Sequence, residues 1–251
     1  MAGRLTGTVA LVTGASSGIG EASAVALAAE GARLVLVARR RDRLQALAER
    51  IGGDAVVIEA DVTDPSAAAL AVSQAVEVAG RLDVVVANAG VMLLGPAVGA
   101  PLEEWDRMVA VNVQGVLHVV HAALPHLLEA AESAERRVSD LVIVSSTAGR
   151  AARSGSGVYN LTKFGVGAFA ESLRQEVTRR HVRVGLIEPG ATATELRSHL
   201  RESQRLAQEE RFRTMEPLLA EDVAEAVVYM VARDRRSAIS ELSIRPTEQE
   251  S

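Results

Sequence analysis

Cysteine is absent from the 251 residues, which excludes disulfides, thiol catalysis and zinc-thiolate sites and fits a reducing interior. Lysine is almost absent as well: Lys163 is the single one, and arginine fills every other cationic position. The formal net charge is -5 and the pI is near 5.6. The chain therefore offers no broad cationic footprint for nucleic acid or for an anionic membrane surface. No apolar run reads as long enough to cross a bilayer. The start, Met1-Ala2-Gly3-Arg4-Leu5-Thr6-Gly7, lacks the apolar stretch of a secretion signal. Internal repeats and low-complexity linkers are missing too. These absences lead us to expect one cytoplasmic domain over 1–251, with neither nucleic acid nor membrane as a partner.

What is present is the composition of a soluble globular protein, 48% hydrophobic and 24% charged, in a chain long enough to bury one α/β core. The apolar run Thr8-Val9-Ala10-Leu11-Val12 reads as a buried parallel strand. It ends in Thr13-Gly14-Ala15-Ser16-Ser17-Gly18-Ile19-Gly20, and a helix-like run from Glu21 to Glu30 follows. Strand, glycine turn and helix in that order present free amides and a positive helix end to a pyrophosphate. Gly14, Ser16, Ser17, Gly18, Ile19 and Gly20 are therefore candidate dinucleotide contacts.

The second strand, Arg33 to Ala38, bears on which dinucleotide. An NAD site places an acid about 20 residues past the glycines to hold the ribose 2′-hydroxyl. This chain has Ala38 there, followed by Arg39-Arg40-Arg41. No acid repels a 2′-phosphate and a guanidinium can clasp one, so NADP(H) is the expected cofactor, with Arg39 first and Arg40 second as phosphate partners. Strands Ala55–Glu59 and Leu82–Ala87 end in Asp61-Val62 and Asn88-Ala89-Gly90. On the carboxyl edge of a parallel sheet these residues are placed to meet a ligand, Asp61 at the adenine amino group and Asn88, Ala89 and Gly90 under its ribose, though each taken singly reads equally as a turn or cap residue.

Residues 101–131 read as helical, with a kink or a new start at Pro125. Asn112 lies amid apolar residues there and needs partners. His118, His121 and His126 follow without a supporting cluster of ligands, so they read as packing or solvent-facing residues, and no metal is expected. A fifth strand, Leu141–Val144, runs into Ser145-Ser146-Thr147. Alternation points only one of the two serines at the next motif and does not say which. That motif is Tyr159-Asn160-Leu161-Thr162-Lys163. Four residues apart on a helix, Tyr159 and Lys163 share one face. An ammonium beside a phenol favours the phenolate, so we expect a lowered tyrosine pKa and a tyrosine able to pass a proton. A sixth strand, Arg183–Ile187, leads to Pro189-Gly190-Ala191-Thr192-Ala193-Thr194. The charged stretch 195–216 reads as a substrate lid, and a helix, Ala220–Val231, and a short strand, Leu242–Ile244, close the chain. Strands alternating with helices call for a single-domain, Rossmann-type α/β fold, a doubly wound parallel sheet with helices on both faces.

On these motifs, Thr13-Gly14-x-x-x-Gly18-x-Gly20, Asn88-Ala89-Gly90, Asn112, Ser146, Tyr159-x-x-x-Lys163 and Pro189-Gly190, the chain resembles the classical short-chain dehydrogenase/reductase family along essentially its whole length. The tail Ile244 to Gln249 and the run Gly90 to Pro96 look most like the NADPH-dependent clavulanate dehydrogenase group. The resemblance selects Ser146 over Ser145. It implies a hydride transferred between the nicotinamide and a carbonyl or alcohol of a small molecule, with Tyr159 as acid and Ser146 as hydrogen-bond donor to the oxygen. Lys163 would tune Tyr159 and bind the nicotinamide ribose, and Asn112 would hold a water linking Lys163 to solvent. Pro189, Gly190, Thr192 and Thr194 would orient the carboxamide and pyrophosphate. It also implies a homotetramer, or a homodimer, built on the helices around 111–128 and 157–179. Ala87 replaces the first Asn of the family's usual Asn-Asn-Ala-Gly. Two other readings stay open: a catalytically silent NADP-binding regulator, and a scaffold of the same fold.

Overall fold

The computed structural model describes residues 3–52, 54–206 and 215–250. Seven parallel strands form one sheet in the order β3-β2-β1-β4-β5-β6-β7. They are β1 (Val9–Thr13), β2 (Arg33–Ala38), β3 (Val56–Glu59), β4 (Val84–Ala87), β5 (Ser139–Val144), β6 (Val182–Pro189) and β7 (Glu241–Ile244). The strand order reverses between β1 and β4, which pair through Ala10–Val84, Leu11–Val85 and Val12–Val86. At such a switch point the loops leaving two neighbouring strands diverge and open a crevice.

Alternation along β1 explains the two layers. Ala10 and Val12 face one core and Val9 and Leu11 the other, as period-two geometry requires of a strand buried on both sides. On the first side lie α1 (Gly18–Ala29), α2 (Arg41–Ile51) and a late helix, α7 (Ala220–Val231). On the other lie α3 (Pro65–Ala79), α5 (Gly115–Ser133) and α6 (Gly157–Val177). Asp64 caps α3 by accepting from the amides of Ser66 and Ala67, with Pro65 in the first turn, where its missing N–H costs nothing.

The structure corrects two expectations and shows a third feature that the sequence did not suggest. Pro125 neither ends nor restarts a helix, because α5 runs through it. Pro125 and His121 are both exposed, so water can take the His121 carbonyl that the ring deprives of its helical donor. The irregularity falls earlier, in a π turn at Ala110–Gln114 between α4 (Leu102–Val109) and α5, closed by the Gly115 amide donating to the Ala110 carbonyl. Second, the continuous helical stretch Leu102–Ser133 is long and apolar enough to cross a membrane. One face of it packs: Val116, Val119, Val120, Ala123 and Leu127 are buried in the core beside α3 and the sheet, while Leu102 and Leu117 are exposed.

The third is an ion pair that strand patterning did not anticipate. Asp140 and Arg183 lie opposite each other on β5 and β6. Arg183 donates Nε and Nη2 to the two oxygens of Asp140 at 2.7 and 2.9 Å. Its remaining N–H groups reach the carbonyls of Val231, Arg233, Asp234 and Ser237. Arg136 adds a second contact to Asp140 and to the Val231 carbonyl. Arg183 thus supplies donors to the carbonyl-rich end of α7, and its own full hydrogen bonding makes the buried charge tolerable, whereas Arg136 Nη1 is buried without a partner among the described residues.

Candidate active site

A cleft of about 400 Å³ opens over the carboxyl ends of β1 and β4. Every residue expected to contact the cofactor lines it except Gly20, and of the expected catalytic four only Asn112 stands behind the wall. Gly20 is excluded for a physical reason. A Cβ there would sit 2.4 Å from the Gly14 carbonyl oxygen and 2.5 Å from Asn88 Nδ2, so α1 can close on β1 only over a bare glycine. Gly14 and Gly18 take positive φ of 66° and 56°. Thr13 and Asn88 brace the turn: the amides of Asn88 and Ala89 donate to Thr13 Oγ1 at 3.0 and 3.1 Å, and Asn88 Nδ2 donates to the Thr13 carbonyl at 2.9 Å. The side chain of Asn88 is thus committed to the turn.

These residues fit a dinucleotide. Ser17 stands at the N-cap of α1 without making a side-chain cap, which leaves first-turn amides for a pyrophosphate. Its hydroxyl instead accepts from Arg40 Nη2 at 2.7 Å, and Arg40 Nε and Nη2 also donate to Ser16 Oγ at 3.0 and 2.9 Å. Arg40, ranked second from the sequence, is therefore the guanidinium tied across the phosphate turn. Arg39 also lines the cleft but stands 3.8 Å from Asp61, largely exposed. Asp61 spends one oxygen on the Thr63 amide and hydroxyl and keeps the other toward Arg39.

At the far end, α6 carries Tyr159 and Lys163, both buried. Lys163 Nζ donates to the Val144 carbonyl at 2.9 Å and lies 5.9 Å from the Tyr159 ring centroid. This corrects the expected acidity. Burial pushes the Tyr159 phenol up to about 12, and only a hydrogen bond with Ser146 pulls the other way. Burial also pulls Lys163 down to about 8. The ammonium is turned to Val144, so desolvation of the phenolate outweighs it and Tyr159 is a neutral phenol here.

The same geometry separates the serines. Ser145 is buried and donates to the Lys163 carbonyl at 3.1 Å. Ser146 caps the short turn Thr147–Gly149 by accepting from the Ala148 amide at 3.1 Å and donates to the Pro189 carbonyl at 3.4 Å; it is also the serine whose hydroxyl acts on Tyr159, lowering the phenol pKa against burial.

Asn112 accepts from the Val91 amide at 2.8 Å and donates to the Val91 carbonyl at 2.9 Å and Thr162 Oγ1 at 3.2 Å. Both its amide hydrogens are used, so Asn112 ties the loop after β4 to α6. A Cβ on Gly90 would lie 3.4 Å from Asn112 Oδ1 and 3.8 Å from Lys163 Nζ, so both atoms border the small space beside Gly90. Of the three histidines, His118 packs by bonding the Val62 carbonyl at 3.0 Å.

After β6, Thr194 caps the turn Glu195–His199, and Thr192 bridges to Leu218. Of the lid expected at 195–216, residues 207–214 lie outside the described residues. Sequence reasoning missed three residues here. Gln249 accepts from the Ala191 amide at 2.8 Å, bringing the tail to the cleft wall. Glu195 and Arg43 form an ion pair at 2.7 Å beside Arg40. Nothing in the local pattern of a polar tail or a charged helix marks any of the three.

The short chain dehydrogenase family profile matches residues 8–205. The chain belongs to that family. It is 37% identical over 250 residues to a glycine betaine reductase of Emericella nidulans, covering 98% of this chain and 19% of that protein; the chain spans about a fifth of that relative. An uncharacterized oxidoreductase of Staphylococcus saprophyticus is 34% identical over 244 residues, 96% of each chain. Among solved structures, the closed form of a serine dehydrogenase complexed with NADP+ superposes with a TM-score of 0.90 at 29% identity, over 97% of both chains. A 3-ketoacyl-(acyl-carrier-protein) reductase from Brucella melitensis complexed with NADH gives 0.85 at 31%, over 96% of this chain and 97% of that one. The protein is an oxidoreductase of the short-chain dehydrogenase family with the Rossmann-type fold.

Proposed function

We propose that this protein is an NADPH-dependent reductase of a small-molecule aldehyde or ketone. The observation that carries the reading is that Ser146, Tyr159 and Lys163, the last two buried, line the same cleft as the glycine turn, with burial keeping the Tyr159 phenol protonated. Reduction of a carbonyl needs a proton donor at its oxygen, and Tyr159 supplies one at neutral pH while Ser146 stabilises the developing charge. When bound, the nicotinamide supplies the hydride. Lys163 holds a positive charge behind the phenol below its own pKa and reloads the proton through the space bordered by Gly90, Asn112 Oδ1 and Lys163 Nζ. Val91, Met92, Leu94 and Val111 give the substrate end an apolar wall, with Arg153 as its charged neighbour.

The similar solved structures hold NADP+ in one case and NADH in another, so the choice of cofactor rests on this chain's own residues. Arg40, fixed over Ser16 and Ser17, is the phosphate partner, Arg39 contributes charge at longer range, and Ala38 supplies no competing acid. The likeness to clavulanate dehydrogenases extends the reading to a small-molecule pathway and rests on the tail, of which Gln249 reaches the cleft. Exposed Leu117, Leu161 and Phe164 on α5 and α6 support assembly into a tetramer or dimer, and the absence of cysteine fits a cytoplasmic address.

The test is oxidation of NADPH and of NADH against a panel of aldehydes and ketones, with Tyr159→Phe and Arg40→Leu alongside. Turnover lost in Tyr159→Phe and NADPH preference lost in Arg40→Leu are the expected outcomes. Tight NADPH binding with no turnover of any carbonyl would favour the silent regulator.

A further inference from the structure

Glu195 stands directly after Thr194 at the start of the turn Glu195–His199 and lines the cleft. Its carboxylate sits between two guanidiniums. Arg43 Nη1 donates to both oxygens at 2.7 and 2.8 Å, and Arg40 Nη1 donates to Oε2 at 3.0 Å. The partners are far apart in the chain, so this is no local helix pair. It joins the segment after β6 to the start of α2 across the phosphate end of the cleft. Arg40 meanwhile keeps Ser16 and Ser17 with its other donors. Two arginines thus converge on one anion, Arg40 from the cleft wall beside the glycine turn and Arg43 from outside the lining residues, and the chain itself supplies that anion.

The chemistry of the position is that of a phosphate seat. Two planar donor forks and two serine hydroxyls suit a phosphate monoester, which offers more charge and more acceptor oxygens than a carboxylate. The arginines, Arg43 foremost, hold Glu195 below the usual carboxylate range, so it is an anion at any working pH.

We propose that Glu195 is an internal stand-in for the 2′-phosphate of NADP(H): it competes for Arg40 and Arg43 and is displaced when the phosphate binds. This rests on the reading that the Arg40 end of the cleft receives the 2′-phosphate. Two consequences follow for the same site. Arg43 becomes a second phosphate partner once Glu195 leaves. The turn Glu195–His199, which carries Arg197 and His199 along the cleft wall, is untied from α2 by the phosphate and stays tied when the cofactor lacks it. Glu195 is then a specificity residue that tempers affinity for the phosphorylated cofactor and reports its arrival to the substrate side.

The experiment measures binding of adenosine 2′,5′-bisphosphate and of 5′-AMP by titration calorimetry at low ionic strength. Both ligands omit the nicotinamide, so the comparison reads the 2′-phosphate alone. The Glu195 side chain is 49% exposed and its ion pairs are correspondingly modest, so Glu195→Gln should bind the bisphosphate about fivefold more tightly and 5′-AMP unchanged. Adding Arg43→Gln to that variant should take the gain away. An unchanged bisphosphate affinity in Glu195→Gln, or an equal change for both ligands, overturns the proposal; a double variant that binds the bisphosphate as tightly as Glu195→Gln removes Arg43 from the seat. The outcome also separates the two readings. Wild type indifferent to the 2′-phosphate with Glu195→Gln preferring it would sink the NADPH preference and keep the competition. Wild type strongly preferring the bisphosphate, with Glu195→Gln leaving the ratio untouched, would do the reverse.

Discussion

Replacing Lys163 by methionine should stabilise the protein at neutral pH while removing its activity, and the size of the effect should depend on pH in a way that identifies the buried ammonium as its source. Burial lowers the Lys163 pKa from 10.5 to about 8. A folded-state pKa below the unfolded one means the unfolded chain binds the proton more tightly, so stability is diminished at low pH and recovers as pH rises from 8 toward 10.5. Linkage puts the penalty of the charged lysine, relative to a neutral side chain, at about 3 kcal/mol at pH 7 and about 1 kcal/mol at pH 10. Methionine keeps the apolar stem and volume but forfeits the bond to the Val144 carbonyl, a loss of roughly 1 to 3 kcal/mol that does not vary with pH. The difference in unfolding free energy between Lys163→Met and wild type should therefore fall by about 2 kcal/mol between pH 7 and pH 10. Urea unfolding of both proteins at one fixed concentration at the two pH values measures it, and titrations common to both cancel. A difference that is flat with pH, or that grows, refutes the claim that the lysine is held charged against its burial. Lys163→Arg gives the contrasting case: a guanidinium cannot shed its proton and is too large for the site, so it should be inactive and also less stable than wild type by about 1 to 3 kcal/mol.

Ser146→Ala should cost roughly 10²-fold in kcat, whereas Ser145→Ala should lower stability by about 1 kcal/mol through its lost bond to the Lys163 carbonyl; the reverse pattern in kinetics and thermal melts would exchange their roles. Gly90→Ala meets its neighbours only at ordinary contact distance, so the fold should be kept while kcat drops by at least tenfold as the methyl fills the space beside Lys163; unchanged turnover would move the proton path elsewhere. Carbonyl reduction should decline above pH about 8, as Lys163 loses its charge, and not wait for Tyr159 near 12; a pH-rate profile flat to pH 10 would count against it. Light scattering should find a dimer or tetramer at micromolar concentration, and a monomer would leave Leu117, Leu161 and Phe164 without the role assigned to them.

The sequence by itself determined what depends on neighbours in the chain. The glycine turn was legible because Gly14 and Gly18 need a positive φ and Gly20 needs the absence of a Cβ, and few residue types meet those demands. The pairing of Tyr159 with Lys163 was legible because a helix alone sets the i,i+4 spacing. Buried parallel strands announced themselves as short apolar runs, and their alternation with helices pointed to the doubly wound sheet, which has seven strands. Tertiary structure decided what depends on burial and on contacts distant in sequence. The acidity of Tyr159 turned on where the Lys163 ammonium points and how little water reaches the phenol, neither of which spacing encodes. The serine that meets Tyr159 was set by the turn after β5, and the guanidinium that crosses the phosphate loop by the exit angle of β2. The π turn at Asn112, the Asp140–Arg183 pair and the reach of Gln249 and Glu195 into the cleft each join elements that only the folded sheet brings together. Their side chains look like ordinary surface polar residues until a partner far along the chain arrives.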